Sequence, residues 1–332
     1  MQISSVRPAA LDLATAGDLA EVNAHAAASD APHFHVETGE ILRGRLVHGW
    51  DGEGTDRVIL AHDADGRLLG GAEVDLPAQE NLDLVWFRIN VDPEVRRRGI
   101  GSALLEAVVA VSTEVGRGLL MTGAWHGTTG VVFLKDHGFE QASIAAQRRL
   151  YTQELPRQSD IDLLAQARSA STAYETVRLT GPLPEDMLEP MLHTVEAIND
   201  APLDDLELED DNFTIDRLRR YDAAQAAQQQ RIHRVIARSL LDGSPAGHSV
   251  VAVDGRRPHL GEQHDTSVLR EHRGHLLGLR LKLEMLEWLR AEEPQLSEVD
   301  TWNQESNTHM IAVNDAIGCV VVGREVMFQK HV

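Results

Sequence analysis

The chain has 332 residues with 52 Asp and Glu against 31 Lys and Arg, a formal net charge of −21 that disfavours nucleic acid or an anionic membrane as the main partner. Aromatic residues are 4%, too few to stack many bases, and the one cysteine, Cys319, excludes an internal disulfide framework and a thiolate-rich metal cage. At about twice a ~150-residue domain the length predicts two domains, and with neither an export segment nor eighteen consecutive apolar residues the chain reads as cytoplasmic.

Apolar residues at three- and four-residue spacing predict helices over 14–28 and 37–50. Strands follow at 57–61 and 67–76 around the Asp65-Gly66 turn, then at 82–91. A basic, glycine-containing turn leads into a helix over 102–115, in which Leu104, Leu105, Val108, Val109 and Val111 carry the helical period. A strand at 119–123, a helix at 130–137 and a closing strand to Tyr151 complete the first half. Residues 153–172 are polar and contain Pro156, and read as a linker with a short helix around 160–168. The second half predicts a strand at 174–179, helices at 184–198 and 213–229, and strands at 232–240, 249–253 and 261–268, with turns at Asp242-Gly243 and Asp254-Gly255. A helix at 276–290, a strand at 299–302, a helix at 307–317 and a terminal strand pair at 319–329 end it.

The second half repeats the first. Residues 91–101, Val-Asp-Pro-Glu-Val-Arg-Arg-Arg-Gly-Ile-Gly, align without a gap on residues 268–278, Val-Leu-Arg-Glu-His-Arg-Gly-His-Leu-Leu-Gly, at an offset of 177, and Val, Glu, Arg and Gly agree at four positions. Downstream, Gly138 aligns with Gly318 at an offset of 180, which implies a three-residue insertion near Pro294. The expected organisation is therefore a domain over 1–152, a linker over 153–172 and a second domain over 173–332.

A strand, then Arg-x-x-Gly-x-Gly, then a helix is an anion site: glycines let the chain turn tightly, and amides of the turn and first helical residues converge with the helix dipole on one point. Residues 96–101 supply this, and the third glycine of a dinucleotide fingerprint is missing because that position is Leu104. The stretch from 91 to 105 resembles motif A of the GNAT superfamily of N-acetyltransferases, and Gly138-Phe139 and the segment 303–318 resemble its motif B. The resemblance covers nearly the whole chain and is to a tandem member, similar in layout to the mycothiol synthases. It implies an α/β (α+β) fold of two tandem domains, each a mixed, mostly antiparallel sheet flanked by helices. It further implies acetyl-coenzyme A as donor, with Arg96, Arg97, Arg98, Gly99, Ile100, Gly101 and Ser102 around the pyrophosphate and Val91 against the pantetheine arm.

In the second copy the resemblance places Val268, Arg273, Gly274, His275, Leu277 and Gly278 in the same roles. Leu276 replaces the first motif glycine, where an ordinary helix-start conformation is expected. Asn307 matches the family asparagine that holds the cofactor arm, where the first copy has Gly127. The tyrosine that protonates the leaving thiolate in many relatives is Leu134 in one copy and Asn314 in the other; an asparagine amide hydrogen-bonds a thiolate but is a poor proton source. An amine acceptor must lose a proton before it attacks. Glu262, at the position where histone-acetylating relatives carry a glutamate base, is the candidate, its first-copy counterpart is Val85, and chemistry is expected mainly in the C-terminal copy. A solvated strand residue is the plainer account of Glu262.

The run 203–211 carries acids at 204, 205, 207, 209, 210 and 211. In the family this connection often walls the acceptor pocket, so Asp204, Asp205 and Glu207 are expected to attract a small cationic amine; a solvated acidic loop is the alternative. His33, His35, His272 and His275 lack an accompanying zinc pattern, and no metal is expected. Cys319 reads as core packing. The sequence thus points to an acetyl-coenzyme A dependent transferase acting on a primary amine, with a different acyl donor or a non-catalytic acyl-coenzyme A sensor as alternatives.

Overall fold

The computed structural model describes residues 1–154 and 156–332. In chain order the elements are β1 (Gln2–Val6), α1 (Leu13–Asp30), α2 (Gly39–His48), β2 (Arg57–His62), β3 (Leu68–Asp75), β4 (Leu84–Val91), α3 (Ile100–Val115), β5 (Leu119–Trp125), α4 (Thr129–Asp136), β6 (Glu140–Tyr151), α5 (Gln158–Ala170), β7 (Tyr174–Thr180), α6 (Glu185–Glu196), α7 (Ile215–Ala227), β8 (Gln230–Ser239), β9 (Pro245–Asp254), β10 (Leu260–Val268), α8 (Leu277–Glu292), β11 (Glu298–Gln304), α9 (Thr308–Ala316) and β12 (Val320–His331). They form two compact units, one of Met1–Ile144, Leu203–Glu209 and Gly323–Val332, the other of Ala145–Pro202 and Asp210–Val322. No helix of the described residues is long and apolar enough to cross a membrane.

In the first unit the strands run β1-β2-β3-β4-β5-β12, antiparallel except for the parallel pair β4 and β5. Strand side chains alternate between faces, and β2 shows the consequence. Val58 and Leu60 join a cluster with Leu19 of α1 and Leu42 and Leu46 of α2, while Ile59 and Ala61 join one with Leu104 and Val108 of α3. Both clusters are thoroughly dry, and α3 starts after Gly99 and ends before Gly116, both left-handed. β1 was not anticipated: its five residues are half-exposed or exposed and carry little apolar pattern.

In the second unit the order is β6-β11-β10-β9-β8-β7, with β10 and β11 parallel. Val235 and Ala237 of β8 face α8, and Ile236 between them faces Leu188 and Met191 of α6 and Leu218 of α7. The segment expected as a linker contains α5, whose Leu164 is buried with Leu281 and Met285 of α8 in one core. Arg280 of α8 donates to the carbonyls of Ser171 and Tyr174, tying down the end of that segment.

The compact units are cut differently from 1–152 and 173–332, because each is closed by a strand from the other half of the sequence. β12 pairs with β5 from Glu325↔Trp125 to His331↔Leu119, and residues 145–151 of β6 pair with β11 from Gln304↔Ala145 to Glu298↔Tyr151. The expected strand pair at 319–329 is the single strand β12, whose Val326 and Phe328 fill the α3 cluster.

The register also corrects the equivalence of Glu262. A shift between Gln263 and Asp265 of β10 makes His264 an extra residue against β9, whereas β4 runs against β3 without interruption. From residue 265 onward the 177 offset holds, but before the bulge it becomes 176. Glu262, paired with Asp300, therefore occupies the place of Trp86, paired with Met121, and not that of Val85.

Candidate active site

The first unit opens a cleft where its two parallel strands part. β4 pairs with β5 only over Leu84↔Leu119, Val85↔Leu120 and Trp86↔Met121, after which β4 stays with β3 and β5 stays with β12. A cavity of about 420 Å³ lies there, lined by residues 87–91 of β4, 122–125 of β5, the turn before α3, α4 and Glu325 of β12.

At the mouth is the basic turn. Arg97 has φ 64° and Gly99 φ 83°, so two left-handed residues separated by one turn successive amides toward a common side just before α3 begins. Nothing would obstruct a side chain at Gly99, so the glycine there serves the backbone conformation and not space. Gly101 sits within the first turn of α3, where a Cβ would come into ordinary van der Waals contact with Phe133 at 3.4 Å. Arg96, expected on the pyrophosphate, has its guanidinium engaged within the protein, donating from Nε to the Val91 carbonyl at 3.1 Å and from both terminal nitrogens to Asp30 at 2.9 and 2.8 Å. It braces the turn, while Arg97 and Arg98 extend toward solvent. Ser102 Oγ lies 3.2 Å from His137 Nε2, and His137 Nδ1 lies 2.8 Å from the Phe133 carbonyl. A carbonyl can only accept, so neutral His137 donates from Nδ1–H to Phe133 and its Nε2 accepts from the Ser102 hydroxyl. Leu134, at the general-acid position, is buried.

The cleft lining also includes Arg88, Asn90, Trp125 and Glu325. Trp125 is held by the rings of His33 and Phe34, at centroid distances of 4.7 and 5.8 Å. Burial pushes the Glu325 carboxyl above the usual carboxylate range, with the Arg88 guanidinium opposing it. Glu325 was missed at the sequence level because it lies in the C-terminal half, and only the pairing of β12 with β5 brings it to the first unit.

The second unit repeats the turn. Arg273 Nε donates to the Val268 carbonyl at 3.0 Å, and Arg273 and Arg270 both pair with Asp200, as Arg96 does with Asp30. Gly274 has φ 85° in place of Arg97, and Leu276 has φ 56° and ψ 23° in place of Gly99. The leucine therefore does not take an ordinary helix-start conformation: it is forced left-handed, which costs an L-residue about 1–2 kcal/mol. His275 is exposed, and Leu277 and Gly278 begin α8.

Beyond the turn the units diverge. β10 and β11 also part after Glu262↔Asp300, but by strand register Trp302 stands where the first unit has Gly123, and Ala145 stands where it has Glu325. Lys282, at the position of Leu105, is buried in the second unit and pushed down to about 8 by burial, with Cys319 and Asp265 nearby opposing the shift. Glu262 is exposed on β10. Asn314 is fully buried and donates from Nδ2 to Asn303 Oδ1 at 3.3 Å, and Asn307 caps α9 by accepting from Met310 N–H at 3.1 Å.

Residues 203–209 of the acidic run join the first unit. Ser143 Oγ donates to Asp204 at 2.6 Å, Asp205 N–H donates to the Ala142 carbonyl at 3.1 Å, and Glu207 accepts from His331 Nε2 at 3.1 Å. Between them Leu206 and Leu208 pack on Trp86 and Met121. By the two-residue period of a strand, Met121 shares its face of β5 with Gly123 and Trp125. Asp204, Asp205 and Glu207 thus belong to the first unit, beside the face of β5 that carries Trp125.

A family model described as an acetyltransferase (GNAT) domain matches residues 54–141, which hold β4, the basic turn, α3 and α4. No curated protein matches the chain. Among solved structures, a tandem GNAT protein from the clavulanic acid biosynthesis pathway is similar at 22% identity over 99% of this chain and 98% of its own, with a TM-score of 0.80. A GCN5-related N-acetyltransferase from Sphaerobacter thermophilus is similar at 16% identity over 99% and 95%, with a TM-score of 0.71. The chain therefore has the fold of these tandem GNAT structures, and the stretch that matches the GNAT domain model lies in its first unit.

Proposed function

We propose that the chain is an N-acetyltransferase that takes its acetyl group from acetyl-coenzyme A and delivers it to a primary amine of a small cationic acceptor, with the chemistry in the first unit. The observation that carries this reading is the open cleft between β4 and β5, with left-handed Arg97 and Gly99 at one end and Glu325 inside. We place the chemistry in the first unit and not, as expected from the sequence, in the C-terminal copy, because Trp302 stands where Gly123 makes room for Glu325 and Ala145 offers no carboxylate.

The residues fit the donor. The amides of 97–102 and the α3 terminus suit a pyrophosphate, and beyond Trp86 the β4 backbone groups that faced β5 are released from that ladder to meet an extended polar arm. Acetyl-coenzyme A supplies an activated thioester. Arg97 and Arg98 provide exposed charge for its phosphates, and Ser102, held by His137, provides a hydroxyl at the helix start. An acceptor amine reaches the cleft from the β5 face that carries Trp125 and Glu325, bordered by the exposed acids 204, 205 and 207, whose charge favours a cation.

One observation favours a second reading, a non-catalytic acyl-coenzyme A sensor: buried Leu134 stands where a proton donor for the departing thiolate would be. Thiol release from acetyl-coenzyme A, followed with and without spermidine, glucosamine and a lysine-containing peptide, separates the two. A transferase releases thiol in proportion to amine; a sensor binds the donor and releases none with any of them.

A further inference from the structure

We propose that Glu325, carried by the last strand of the chain, is the proton acceptor of the first unit's reaction, so that the C-terminal end completes a site otherwise built by the N-terminal half. The assignment rests on the amine-acetylation reading above.

Three observations converge on it. Glu325 sits opposite Trp125 on β12 and lines the cleft together with Arg88. Its carboxyl occupies the space over Gly123: a Cβ at Gly123 would overlap Glu325 Oε1, and Gly123 has no left-handed φ that would call for glycine on its own account. The glycine is there for room, and the room is taken by a carboxylate. Finally, the second unit has lost both halves of the arrangement together, with Trp302 and Ala145 at the two positions. The other charged groups of the cleft are engaged elsewhere or stand at its mouth: Asp30 and Arg96 pair with each other, Arg97 is in the basic turn, and Asp136 and His137 lie at the end of α4.

The environment suits the role. A carboxylate in its ordinary range is a feeble base, and burial raises Glu325 above that range while the Arg88 guanidinium partly opposes the shift. In the reaction the ammonium proton passes to a Glu325 oxygen and the freed nitrogen lone pair forms the C–N bond. The C–S bond breaks with its electron pair on sulfur, the second N–H proton ends on that sulfur, and Glu325 returns its own proton to solvent.

The test compares unsubstituted protein with Glu325→Gln and Glu325→Asp, measuring acetyl-coenzyme A affinity by calorimetry and amine-dependent thiol release against pH with the best acceptor among spermidine, glucosamine and the lysine peptide. Because Glu325 works only when ionised, kcat/KM of the unsubstituted protein falls as pH drops through its raised pKa. In Glu325→Gln kcat falls ~10²–10⁴-fold, this acid limb disappears and donor affinity stays within about twofold. Glu325→Asp keeps the limb with a smaller loss, and decides the matter if the Gln protein loses donor binding through misfolding. Unchanged kcat and an intact acid limb in Glu325→Gln overturn the assignment. Donor binding without amine-dependent release by the unsubstituted protein overturns instead the transferase reading, and the assignment with it.

Discussion

Leu276 and Gly99 show how one side chain separates two copies of a turn. Both are left-handed and both precede a helix that begins one residue later. Glycine holds that conformation at little cost, whereas leucine holds it against its own Cβ. Leu276 is partly exposed, so little packing is lost by removing it. Leu276→Gly is expected to stabilise the second unit by about 1 kcal/mol in denaturant unfolding, because release of strain outweighs the greater chain entropy of glycine. The turn before α3 was legible in the sequence from Gly99, whose left-handed conformation suits glycine. The conformation of Leu276 was not, because the surrounding turn overrides the leucine's own preference. Arg96 was legible as part of the turn but not as its brace, since the partner that engages it, Asp30, is far away in sequence.

At the scale of elements, most helices and strands followed from apolar period and turn residues, and α3 and α8 lie close to where their spacing placed them. The exchange of β6 and β12 did not follow. Both strands present alternating apolar residues, Ala146 and Leu150 in one and Val326 and Phe328 in the other, so either satisfies the slot beside a parallel strand. Which one fills which slot is decided by the path of the intervening chain, and α5, buried against α8, fixes that path instead of acting as a loose tether. The exchange has a direct consequence for stability. Phe328 is fully buried among residues of α3 and β4, so Phe328→Ala should destabilise the first unit by ~3–5 kcal/mol in denaturant unfolding. A substitution at the end of the chain that loosened only the second unit would be at odds with the pairing of β12 and β5.

Across the whole molecule, the two units share a turn and differ in what surrounds it. Both units keep the braced arginine, the left-handed pair and the parting strands, yet only the first combines them with Gly123 and Glu325. The repeat itself was plain from the 177 offset, but its use was not, because the bulge at His264 and the exchanged strands move the equivalences that matter. The net charge of −21 also acquires a place: acids at 204, 205 and 207 lie on the first unit, the side from which a cationic acceptor would come. If the donor occupies the first unit's cleft, then Gly123→Trp, which gives that cleft the residue the second unit has, should close it to the donor. In a calorimetric titration with acetyl-coenzyme A, a folded Gly123→Trp protein is expected to lose donor binding. A titration retaining the affinity and stoichiometry of the unsubstituted chain would place the donor elsewhere.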